Sequence, residues 1–180
     1  MKKIILIYGL IAGTILGAML FVTAPLFDSG ILNMENGMYV GYATMVIALS
    51  LVFFGVKSYR DQHQKGVISF GRAFQVGILI TVAAAVLYAL SWEVAYHTVS
   101  KGFSEKMSAN YENEIRKNVT NETEMNEKIE STKKMMELYD SNPLVRFGFT
   151  LIEVLPVGVV ITLLSAALLR RKDFLPYTGE

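Results

Sequence analysis

The chain has 180 residues, of which 52% are hydrophobic and 18% charged, a balance too apolar for a soluble domain of this length. It has no cysteine, which excludes disulfides, thiol chemistry and cysteine-based metal sites. The net charge of +1 says little by itself; topology depends on where the charges sit along the chain.

Four apolar runs dominate, at about residues 4–27, 37–56, 73–92 and 147–169. Each is about 20 residues or more, enough at helical rise to cross a hydrocarbon core of roughly 30 Å. The expected fold is all-α: a four-span transmembrane helical bundle in one domain, residues 1–180, with an external helical hairpin at about 93–146 between spans three and four. The first run carries Gly9, Gly13 and Gly17 at four-residue intervals, one face on which another backbone can approach closely. That face serves either packing within one bundle or a homo-oligomer seam. Lys2 and Lys3 before an apolar stretch also fit a signal peptide, but the run is too long for a signal core and Pro25 would follow the cut.

Residues 28–36 contain no basic residue, whereas Lys57, Arg60, Lys65 and Arg72 lie between spans two and three, and Arg170, Arg171 and Lys172 follow span four. Basic residues are retained on the cytoplasmic side during insertion, which places both termini and the second loop there. The basic residues of that loop are expected to attract anionic headgroups. Gly37 and Gly41 repeat the small-residue spacing in span two, and Ala85 with Ala89 does so in span three.

At the outer end of span three, Tyr88, Trp92 and Tyr96 recur every four residues and read as an interfacial aromatic belt. Glu93 and His97 share one helical face there and form a candidate polar site, by pairing with each other or by joining Glu153. Two ligands are too few for a metal, so no metal or cofactor is expected. The segment that follows is long and of mixed charge. It reads as two helices: Phe103, Met107, Tyr111, Ile115 and Val119 form one stripe, Met125, Ile129, Thr132, Met136 and Tyr139 another. Asn121 with Glu124 fits a capping box between them, and Asn142 with Pro143 closes the second. The stripes either bury each other or offer a surface to a protein partner.

Glu153 is an acid well inside span four, in the outer half of the bilayer. A carboxyl there must find a partner or take up a proton. Pro156 leaves the Ile152 carbonyl without its helical donor, an acceptor close to Glu153. The readings are a hydrogen bond that ties span four to its neighbours, or ion and proton handling. Leu175, Pro176, Tyr177, Thr178 and Gly179 match a sortase motif but follow the last span on the inner side, which is the wrong order.

Residues 53–62, 67–77 and 151–158, with 2–13 and 168–172, resemble a bacterial membrane family known as domain of unknown function 4199. The resemblance covers nearly the whole chain and implies four spans and one domain, with no activity and no residue roles. The combined expectation is a multi-pass protein of the bacterial cytoplasmic membrane with no catalytic constellation, hence not an enzyme. Its partners are the lipid bilayer, a protein at the hairpin and a second copy of the chain, and nucleic acid is not among them. The leading role is a scaffold or accessory subunit of an envelope complex, and the alternative is a small ion- or proton-coupled transport component using Glu153.

Overall fold

A computed structural model describes residues 1–177; Thr178 and Gly179 of the rejected motif lie outside the described residues, as does Glu180. The described residues form seven helices and no strand: α1 (Lys2–Asp28), α2 (Met34–Leu49), α3 (Leu51–Gln64), α4 (Phe70–Thr98), α5 (Phe103–Asn118), α6 (Glu122–Ser141) and α7 (Pro143–Leu169). Only Ser50 separates α2 from α3. It keeps right-handed helical dihedrals, and its hydroxyl donates to the Ile47 carbonyl at 2.6 Å. Four helical segments are therefore long and apolar enough to cross a membrane: α1, Glu35–Gln64, α4 and α7.

The helices outrun the apolar runs, because capping and backbone hydrogen bonding end a helix where hydropathy does not. Asn33 and Asn36 form a reciprocal capping box at the start of α2. Ser69 accepts from the Arg72 N–H at the start of α4. Asn142 both ends α6 and caps α7, accepting from the Leu144 and Val145 N–H groups with Pro143 in the first turn. As a result Glu93, Tyr96 and His97 lie on α4 and Arg146 on α7, not in the inter-span segment. The third span does not run straight on into α5 either: Gly102, at φ 74°, turns the chain between them.

The bundle is organised around α4, which packs chiefly against α1 and α7, while α3 touches all three. Gly9, Gly13 and Gly17 are the contact with α4. A Cβ at Gly9 would stand 2.6 Å from the Ala83 Cβ, one at Gly13 would stand 2.8 Å from the Leu87 Cβ, and one at Gly17 would meet Ser91. The α4–α7 contact uses the same device in both directions, with Gly77 against Thr162 and Gly158 against Thr81. The two threonine hydroxyls lie 3.2 Å apart inside this seam, so the polar atoms of the apolar core satisfy each other. Gly41, by contrast, faces open space, while Gly37 lies against the Phe27 ring of α1.

Helices α5 and α6 pack on each other. In α6 the predicted stripe is the inward face, with Ile129 and Tyr139 buried. In α5 the stripe is only partly inward, since Tyr111 is exposed while Ser108 and Glu112 turn in. Steps of four residues overshoot a 3.6-residue turn, so such a stripe drifts around the helix. Asn121 starts α6 by accepting from the Thr123 and Glu124 N–H groups.

Candidate functional site

Two arginines are the largest side chains wholly enclosed in this apolar bundle, one near each end. At the end where α4 runs out, Arg146 is 1% exposed. Its Nε donates to Glu93 Oε1 at 2.9 Å and its Nη2 to Glu93 Oε2 at 2.8 Å, a bidentate fork to a carboxylate on α4. Its Nη1 donates to the Tyr139 and Asp140 carbonyls, at 2.9 and 3.0 Å, and so grips the last turn of α6. The remaining Nη2 direction points at His97 Nε2, 3.5 Å away. The guanidinium also lies 4.2 Å from the centre of the Tyr96 ring. One cation on α7 thereby fastens α4 and α6 together.

Aromatic side chains complete the joint. The Trp92 indole donates to the Tyr139 hydroxyl at 2.7 Å, and Phe103 at the start of α5 packs edge-on against Trp92 at 4.9 Å. The Tyr96 hydroxyl bonds to Asp140, which Ser104 of α5 also reaches. Burial pushes the Tyr139 phenol well above its ordinary value, and the Trp92 bond opposes the shift. The expected aromatic belt is thus corrected in part: Tyr88 lies in the buried core of the bundle, and Tyr96 is buried against Tyr139 and Asp140 at the end of α6.

The opposite end is closed by Arg60, which has no exposed surface. It donates to the Phe174 and Leu175 carbonyls at 3.0 and 2.6 Å and to Asp61 at 2.7 Å, while Lys57 holds the other Asp61 oxygen at 2.7 Å. The chain after α7 folds back over α3 in this way, with Phe174 against Phe53 and Tyr177 against Gly66. Arg60 therefore holds the tail and not the lipid headgroups expected of the basic loop.

Of the three candidate polar residues, Glu93 and His97 belong to the arginine joint, 4.0 Å from each other, with Arg146 as the principal partner of Glu93. Among the described residues no group of three His, Cys, Asp or Glu side chains is placed to hold a metal. Glu153 stands apart. The contacts Glu93–Arg146, Thr81–Gly158 and Gly77–Thr162 share one antiparallel register, which sets Glu153 level with Val86, about 10 Å deeper than Arg146 at helical rise. Its side chain is exposed on the flank of α7 and has no hydrogen-bond or ion-pair partner among the described residues. Among the described residues Glu153 makes no tie to a neighbouring span, because residue 153 falls beside the buried row of α7, outside it.

Arg146 and Arg60 carry the polar architecture, yet in the sequence they read only as charges near span ends. The available signal was Glu93: an acid one residue past an apolar run needs a cation, and Arg146 occupies the mirrored place before the next run. A family model described as a protein of unknown function (DUF4199) matches residues 7–171, in agreement with the resemblance read from the residues. No curated protein and no solved structure matches the chain.

Proposed function

The chain belongs to the DUF4199 family of proteins of unknown function, and from that premise we propose that it is a scaffold or accessory subunit of an envelope complex. It would sit in the bacterial cytoplasmic membrane with both termini and the 65–69 turn inside and the α5–α6 pair outside. The observation that supports this reading is the Arg146 joint. A helical pair on a flexible tether would need no buried cation, whereas here five N–H directions and a cage of aromatic rings hold the pair at one angle to the spans. A pair mounted in that way presents its charged outer surface as a fixed platform. No donor of Arg146 is left over for a substrate, and we assign the joint no catalytic step.

Transport through Glu153 is the second reading, favoured by its unpaired carboxyl within an apolar span. Deeper polar groups weigh against it. Thr81 and Thr162 bond to each other, and Ser165 bonds to its own helix, so among the described residues these hydroxyls form no open polar chain inward from Glu153.

Orientation and role are tested together in intact cells. With Gln64→Cys and Ser131→Cys, an impermeant thiol reagent should label only the second. A photo-crosslinking residue at Glu114 or Glu127, both exposed, should yield a discrete protein adduct. Labelling of Gln64→Cys alone inverts the topology. Adducts with lipid or nothing, together with a cation or proton flux in proteoliposomes that Glu153→Gln abolishes, would replace the scaffold by the transporter.

A further inference from the structure

We infer that the Glu153 flank of α7 receives a transmembrane helix of another protein that carries a lysine or arginine at the same depth. The inference rests on the reading of this chain as a subunit of a larger membrane assembly, and it names the contact inside the bilayer.

Glu153 shares its flank with Phe149, Ile152, Val160 and Leu164, all exposed apolar side chains of the kind that lipid or another helix covers. The carboxyl has no partner within the chain among the described residues. A carboxylate in hydrocarbon needs a counter-charge, and a protonated one still leaves an O–H donor without an acceptor. Headgroups do not answer this need. Glu153 lies about 10 Å deeper than Arg146, and a glutamate side chain is too short to reach back to the interface as a lysine can.

A second copy of the chain does not answer it either. The apolar runs 4–27, 37–56, 73–92 and 147–169 contain no lysine, arginine or histidine. The two arginines at the ends of the bundle are enclosed and already committed, Arg146 to Glu93 and α6, Arg60 to Asp61 and the tail. The chain offers no cation that another copy could bring to the level of Glu153, so charge complementarity points to a different protein. A basic residue on a partner span faces the same difficulty as Glu153, and pairing resolves both.

The test uses the full chain in phosphatidylcholine proteoliposomes, with a labelled polyleucine transmembrane peptide carrying one lysine about 10 Å below its outer end and an all-leucine control. Energy transfer from a label on Ser131→Cys reads association. The lysine peptide should bind about tenfold more tightly than the control, and Glu153→Leu and Glu153→Gln should remove that preference. Melting of each variant in mild detergent, at the wild-type midpoint for Glu153→Gln, shows that the fold is retained.

Equal binding of the two peptides to wild type overturns the inference, as does a lysine preference that persists in Glu153→Leu. Loss of the preference when phosphatidylethanolamine replaces phosphatidylcholine would assign the carboxyl to a lipid amine instead. Self-association that needs Glu153 and no peptide would assign it to a second copy. If discrete adducts form at Glu114 or Glu127 while the peptides bind equally, the subunit reading stands and this contact alone fails.

Discussion

Arg146 and Glu93 stand 53 residues apart in the chain and meet through two parallel hydrogen bonds of 2.8 and 2.9 Å, inside a joint that also holds α6. Removing one partner of such a buried pair costs about 3–5 kcal/mol, because the other charge is left enclosed without compensation. Glu93 retains 22% of its side-chain exposure, so Glu93→Ala should fall near the lower end of that range. Glu93→Leu combined with Arg146→Met should recover much of the loss. Denaturation in mild detergent, arranged as a double-mutant cycle, measures the coupling. A loss below about 1 kcal/mol for Glu93→Ala would show that the joint is held by its aromatic rings instead.

Arg60 holds the chain after α7 through two carbonyls and has no exposed surface. Arg60→Ala leaves those carbonyls and Asp61 without their donor, and the tail should detach while the bundle stays folded. Limited proteolysis after Arg171 or Lys172 should then become rapid in the variant and stay slow in wild type. Equal cleavage rates would mean that Phe174 packing on Phe53 suffices to hold the tail.

Gly13 lies against α4 so closely that a Cβ would meet the Ala84 carbonyl at 2.9 Å and the Leu87 Cβ at 2.8 Å. Both obstacles are backbone or the stiff root of a side chain, so α1 itself must move. Gly13→Leu should destabilise the bundle by about 1–3 kcal/mol or more, the usual cost of overpacking. Gly41→Leu, where space is open, is the control and should be neutral. An unchanged melting midpoint for Gly13→Leu would refute the α1–α4 seam.

Acid should loosen the α5–α6 pair. The Arg116 hydrogen bond, with Lys133 and Arg116 charge, holds Glu112 below its ordinary value of 4.5, and Lys134 does the same for Glu130. A lowered folded value means that the stabilisation is complete above about pH 4.5 and is lost as pH falls through the lowered values. The wild-type melting midpoint should therefore drop more steeply below pH 4.5 than that of the Glu112→Gln, Glu130→Gln double variant. Parallel curves would place the acid sensitivity elsewhere. Glu130 is exposed and Glu112 only half-buried, so the difference is modest.

Hydropathy along the chain was enough to mark four helices long and apolar enough to cross a membrane, and periodicity with capping residues marked two further helices between the third and the fourth. Membrane insertion selects for a long unbroken apolar run, a property that lives in consecutive residues and survives any later arrangement of helices. The face formed by Gly9, Gly13 and Gly17 was equally legible, since helical periodicity alone aligns residues four apart. What that face touches was not: Ala83, Leu87 and Ser91 belong to a helix whose rotation depends on all its neighbours. The same reason separates Glu93 from Glu153. Both are acids near or within an apolar run, and the sequence treats them alike. Only the rotation and register of α7 against α4 bring Arg146 onto Glu93 and leave Glu153 on the outer flank, because a charge is satisfied or stranded by what lies across a helix interface and never by its own position in the chain.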